Sequence, residues 1–197
     1  VVFLDGKPVI VDIGPEAYTA ANSGPNRYSI WTMSSDWHNL PTIGGSKQLP
    51  GAKYTARDVS YWSNEAEAHL SMELADAYPS DSGITSYVRS LLLRRDQEIK
   101  LSDRYSLSRS VDAISLSFIT PCLIHDVGPG ELQFVVRGMD KSVVMNYRGT
   151  LKVELETVVL KDPGLRQSLG DQLTRVLLVA TNPERSDEWA ITFRVKE

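Results

Sequence analysis

The chain has 197 residues, 42% of them hydrophobic and 23% charged, with a formal net charge of −4. That is enough chain for one substantial domain or at most two small ones, and its acidity gives no general pull toward nucleic acid or an anionic membrane surface. Cys122, the sole cysteine, excludes an intrachain disulfide and a cysteine-based zinc site, and no apolar run reaches the roughly 18 residues of a membrane span.

In chain order, the first feature is Val1-Val-Phe-Leu4, an apolar β run with no start methionine and no leader pattern. A domain rarely begins inside a strand, so residues 1–197 are expected to be a single domain from the C-terminal part of a longer protein. Val1–Leu4 and Pro8–Asp12 flank Asp5-Gly6, a strong short hairpin signal. Gly14-Pro15 and Asn22-Ser-Gly-Pro-Asn26 mark an irregular stretch around Tyr18. Tyr28–Met33 reads as a strand or a short helical turn, and Leu40–Ile43 as a short strand closed by Gly44-Gly45.

From residue 53 onward the pattern is β. Tyr54–Ser63, His69–Leu74, Tyr87–Leu93, Glu98–Leu107, Ala113–Thr120, Glu131–Gly138, Ser142–Tyr147, Lys152–Val159, Leu173–Thr181 and Glu188–Val195 are each β-rich or alternating. Turn clusters at short intervals separate them, which argues for a large antiparallel β-sandwich of two stacked sheets rather than βαβ units. At most one or two short helical turns are expected. Asn64–Leu74 has enough Ala and Glu to pass as a helix, and Leu165–Asp171 can form one turn.

Unusual residue types concentrate in Arg27–Gly45. Two of the four tryptophans, one of the three histidines, a Tyr and an Arg fall in this run. His38 stands beside Trp37 and Asn39, whereas His69 and His125 read as surface or core residues. Asp12 follows an apolar strand and is the candidate partner of His38. It is also a natural turn former before Ile-Gly-Pro, because an Asp side chain can bond backbone amides two residues on. An Asp/His pair cannot alone make a catalytic zinc site, which takes three protein ligands and an open position. No nucleophile elbow, P-loop, dinucleotide fingerprint or H-E-x-x-H motif occurs. Asp103 and Asp112 read as solvated acids, and Trp62 and Trp189 as core or sheet-face aromatics.

The order Asp5-Gly-Lys-Pro-Val-Ile-Val-Asp-Ile-Gly14, Arg27-Tyr-Ser-Ile-Trp-Thr32 and His38-Asn-Leu-Pro-Thr-Ile-Gly-Gly45 resembles the heparinase II/III-like polysaccharide lyases. Glu73-Leu-Ala-Asp-Ala-Tyr-Pro79, Tyr87–Leu93 and Leu101-Ser-Asp-Arg-Tyr105 are similar to that family's central strands. Asp162-Pro-Gly-Leu165 and Leu169-Gly-Asp-Gln-Leu-Thr-Arg175 are similar to its closing region. The resemblance implies an α/α toroid preceding this sandwich and β-elimination on an acidic, uronic-acid-containing polysaccharide. It also implies zinc held by Asp12, His38 and a third ligand upstream, in an H-x-H-x-D-like motif. It sets Tyr18 and Tyr28 as candidates for proton transfer, and Arg27, Trp31 and Trp37 for substrate contact. The fragment alone is expected to be inactive. Compartment stays open, with a periplasmic or secreted location ahead of a cytoplasmic one. Two other readings remain: a non-catalytic carbohydrate-binding sandwich using Trp31, Trp37 and Trp62, and a structural module that buttresses a neighbouring domain.

Overall fold

A computed structural model describes residues 1–16, 24 and 27–196. Tyr18 lies outside the described residues. The chain opens with a hairpin of β1 (Val2–Leu4) and β2 (Lys7–Ile10). Its turn residues Asp5 and Gly6 have φ of 47° and 79°, the two positive values that a tight hairpin matched to strand twist requires. Three 3-10 turns follow at Arg27–Ser29, Trp31–Met33 and Ser35–Trp37, so of the two forms open to Tyr28–Met33 the chain takes the helical one. Then come β3 (Pro41–Ile43), β4 (Arg57–Ser63), β5 (Glu67–Glu73), two more 3-10 turns at Ala75–Ala77 and Ser80–Ser82, β6 (Ile84–Arg94) and β7 (Glu98–Leu107). The rest are β8 (Ala113–Thr120), β9 (Leu123–Gly128), β10 (Glu131–Val135), β11 (Ser142–Asn146), β12 (Lys152–Val159), helix α1 (Pro163–Leu169), β13 (Gln172–Thr181) and β14 (Ser186–Lys196).

These strands build an all-β antiparallel sandwich. The eight-stranded sheet has the order β4-β5-β6-β7-β14-β11-β10-β9, and the four-stranded sheet the order β12-β13-β8-β3. Alternation along the strands sends one set of side chains between the sheets: Tyr87, Tyr105, Leu132, Met145 and Trp189 from the larger, Leu116, Phe118, Val176 and Leu178 from the smaller. Trp189 stands edge-on to Tyr105 at 5.2 Å, and Phe193 stands edge-on to Phe118 and Phe134 at 5.9 and 6.4 Å.

A second apolar cluster covers the outer face of the small sheet. It joins Val11, Ile13, Ile119, Leu160, Leu165 and Leu173 to the half-buried Trp31 and Trp37. Strand β8 is therefore buried on both faces, with Phe118 pointing into the sandwich and Ile119 under the covering layer. Asp162 starts α1 by accepting the Leu165 amide at 2.9 Å, with Pro163 in the first turn where its missing N–H costs nothing.

Three expectations change. Residues 67–73 form β5, paired along its length with β6, which bears out the strand read at His69–Leu74 and sets aside the helical alternative for Asn64–Leu74. Strand β9 was not expected. It is an edge strand with Leu123 and Val127 exposed, so no apolar face marks it in the sequence. Asp103 is not a solvated acid: it is 1% exposed and faces the core.

Candidate functional site

Beyond β2 the chain continues through Val11, which forms an isolated antiparallel bridge with Ile119 of β8. The Val11 amide donates to the Ile119 carbonyl at 2.9 Å. The reciprocal bond is not made directly. The Asn39 side chain occupies its place, donating through Nδ2 to the Val11 carbonyl at 2.8 Å and accepting the Ile119 amide on Oδ1 at 3.0 Å. One amide side chain thus satisfies two backbone groups that would otherwise be orphaned beside a buried strand.

This insertion brings together the residues on either side of the clamp. Asp12 follows Val11 and His38 precedes Asn39, and His38 Nδ1 lies 2.5 Å from Asp12 Oδ1. Side-chain exposures are 26% for His38 and 55% for Asp12, which puts the pair at the surface with the imidazole mostly covered. The hydrogen bond to His38 holds the Asp12 carboxyl below its usual range, against the opposing effect of partial burial. The same bond to Asp12 raises the His38 imidazole above its usual value, again against burial. Both directions favour the charged forms of the two partners.

Behind the pair lies a cavity of about 440 Å³ between the sheets, with Asp12, His38 and Arg89 among its polar groups and Leu91, Phe118 and Phe193 among its apolar walls. Arg89 is buried and paired to Asp103, with Nε to Oδ1 at 2.7 Å and Nη2 to Oδ2 at 2.6 Å. The Tyr87 hydroxyl donates to Asp103 Oδ2 at 2.9 Å. Burial, together with the Asp103 charge, pushes the Tyr87 phenol well above its usual range, so it remains a donor. Arg89 Nη1 reaches the Asn39 carbonyl at 2.8 Å. A trace of this group is present in the sequence: a cation between Tyr87 and Leu91 and an acid between Leu101 and Tyr105, each at an inward position of neighbouring strands.

The other candidates sit apart from this contact in character. Arg27 places its guanidinium 5.7 Å from the centre of the Tyr28 ring, and Tyr28 is 49% exposed. Trp31 and Trp37 meet edge to face at 5.0 Å. Trp31 Nε1 donates to Glu16 at 3.2 Å, and Arg175 stacks on the Trp37 ring at 4.4 Å while donating to the Asp36 carbonyl at 2.6 Å. These tryptophans hold the layer over β8 and β13. Trp62 is 45% exposed on β4 and stacks on His69 at 5.6 Å.

Carboxylate oxygen and imidazole nitrogen are donor types that zinc takes, and they stand side by side here. The pair supplies two donors. Among the described residues no group of three or more His, Cys, Asp or Glu gathers around a common point, so these residues do not complete a zinc centre by themselves.

No protein-family model matches the chain, and no curated protein sequence matches it. Solved structures do. The heparan sulfate lyase HepC from Pedobacter heparinus superimposes with a TM-score of 0.71 over 99% of this chain at 11% identity. The heparinase III BT4657 gene product gives 0.72 over 98% at 13% identity, and a further heparinase III gives 0.61 over 97% at 14% identity. The chain spans 28–29% of the length of these structures. At such identities the likeness establishes the fold: the chain shares, along nearly its whole length, the β-sandwich of one region of these lyases.

Proposed function

We propose that the chain is the C-terminal β-sandwich of a polysaccharide lyase that cleaves uronic-acid-containing glycans by β-elimination, and that it contributes two metal ligands and part of the substrate cleft. The observation that carries this reading is the His38–Asp12 contact at 2.5 Å, made across 26 residues on a fold shared with heparan sulfate lyases.

In β-elimination a base removes the C5 proton, the electron pair forms the C4–C5 double bond, and the C4–O bond breaks as the leaving oxygen gains a proton. The C5 proton is acidic enough only when the adjacent carboxylate is neutralised. On this reading Arg27 would meet the polyanion, Tyr28 and Tyr18 (the latter outside the described residues) would assist proton transfer, and Trp31 and Trp37 would border the substrate. Asp12 and His38 would be two of the zinc ligands, with the third upstream, and the ion would supply a fixed positive charge at this rim. A preceding toroid domain supplies the remaining wall and the other catalytic groups.

The test is the longer protein against a panel of heparin, heparan sulfate and alginate. The expected result is an unsaturated product seen by ultraviolet absorbance, together with bound zinc that His38→Ala removes. An upstream sequence with neither a helical toroid nor an H-x-H-x-D motif overturns the reading. A second reading, a non-catalytic glycan-binding module, is favoured by the exposed Trp62 stacked on His69. It requires glycan binding by this chain, loss of that binding in Trp62→Ala, and no unsaturated product from the longer protein.

A further inference from the structure

We infer that the buried Arg89–Asp103 ion pair is a positioning device for His38, acting through the main chain of Asn39, rather than a stabilising element of the core. Its purpose rests on His38 and Asp12 being the functional pair, but its physical content belongs to this chain alone.

Two charges with side-chain exposures of 8% and 1% are a costly choice for a sandwich interior. Desolvation cancels most of the attraction in such pairs, and apolar replacements of similar volume are often as stable. The pair needs another reason to be there. Asp103 accepts from both Nε and Nη2 of Arg89, so two bonds hold the guanidinium plane, and the carboxylate itself is held by the Tyr87 hydroxyl. The group left over, Nη1, is aimed at one acceptor, the Asn39 carbonyl, 50 positions earlier in sequence.

Asn39 is the corner of the site. The Leu40 amide donates to the His38 carbonyl at 2.8 Å, closing a three-residue turn centred on Asn39. The Asn39 side chain fills the broken bridge between Val11 and Ile119. With Arg89 on its carbonyl, Asn39 is tied to the eight-stranded sheet, to the Asp12 segment and to β8 at once. His38 and Asp12 are each one residue from an anchored group, so their contact is set by this corner and not by their own half-exposed side chains. Only a planar fork can chelate a carboxylate and reach a third acceptor together; a lysine ammonium cannot.

The experiment compares three variants of the 197-residue chain. Arg89→Met/Asp103→Leu, made in a Tyr87→Phe background so that no buried hydroxyl is left without Asp103 as its acceptor, removes both charges; Arg89→Lys keeps the charge and removes the fork, and Leu178→Ala is a core control on β13. The readouts are amide exchange at residues 38–40, the His38 imidazole resonances, and the unfolding midpoint. Both Arg89 variants are expected to speed exchange at residues 38–40 at least tenfold and to move the His38 resonances toward those of a solvent-exposed histidine. The double variant is expected to keep its midpoint within a few degrees, while Leu178→Ala lowers the midpoint and leaves His38 where it is. Unchanged His38 signals in the Arg89 variants, or an equal response in Leu178→Ala, overturns the inference. If the double variant does not fold, the stability half of the inference fails and Arg89→Lys decides the positioning half. No glycan or metal enters the experiment, so failure of the lyase reading leaves its result intact.

Discussion

Glu73 offers the sharpest test of how this sandwich is held at the site's end. It is 7% exposed at the end of β5, and its carboxylate accepts the Ala75 amide at 2.9 Å, the Tyr87 amide at 2.6 Å and the Ser86 hydroxyl at 2.6 Å. Burial pushes its pKa up, but these bonds outweigh burial and hold it below the usual range. Glu73→Ala leaves two backbone donors without a partner; at about 1–3 kcal/mol for each unsatisfied group, and with some relief from entering water, the expected cost is about 3 kcal/mol. For a chain of this size that is a fall in midpoint of roughly 6–12 °C. Glu73→Gln keeps an acceptor for the amides and loses the charge, so about 1 kcal/mol is expected. The sign of the pH effect follows from the lowered folded pKa. The charge stabilises above the unfolded value of about 4.3 and is lost as pH falls through the folded value. The gap between the parent chain and Glu73→Gln should therefore close on acidification, read by urea unfolding from pH 7 to pH 3. A gap that is constant or widens toward pH 3 refutes the reasoning.

Three further outcomes are expected. Trp189→Ala, at a position 2% exposed and packed on Tyr105, should cost about 3–5 kcal/mol in urea unfolding, and a change under 1 kcal/mol would mean that the sheets do not pack as described. Arg175→Ala removes the stacking on Trp37 and the bond to the Asp36 carbonyl; a loss of about 1–2 kcal/mol and a red-shifted tryptophan emission are expected, and an unshifted spectrum counts against that packing. With only two donors together, the chain alone should take up zinc weakly, and Asp12→Ala or His38→Ala should each strip it from the longer protein, measured by atomic emission; full zinc retention in either variant removes that residue from the metal site.

Much of this architecture can be read from alternation and turn chemistry. Ala113–Thr120 and Lys152–Val159 are strands with the expected bounds, and Asp5-Gly6 turns the first hairpin. Strand β9 escaped because an edge strand need not have an apolar face. Residues 67–73 leave two forms open, because Ala and Glu favour helices while the run His69–Leu74 reads as a strand, and pairing with β6 decides for the strand. At the site, a run of rare residue types marks His38 and a place after an apolar strand marks Asp12, but nothing local in the sequence shows the clamp between them. Asn39 works by replacing a backbone hydrogen bond between two segments far apart in the chain, and a polar side chain with that role leaves no periodic signature. Arg89 and Asp103 are legible in the pattern of their strands. Opposite charges on the inward faces of paired strands can be buried only together, and that argument needs only the alternation.

The covering layer and the site are one mechanical unit. The segment that brings His38 to Asp12 also carries Trp31 and Trp37 onto the outer face of the small sheet, where Arg175 pins Trp37. Asn39 joins that layer to the larger sheet through Arg89. Loosening either end of the segment should therefore disturb the His38–Asp12 contact, even though neither Arg175 nor Arg89 bonds to either residue. Strands β9, β10 and β11 lie at the far side of the larger sheet from β6, and substitutions on their outer face should leave the contact untouched. The His38–Asp12 contact thus depends on the order of the covering layer, and a variant can lose that contact while keeping the sandwich.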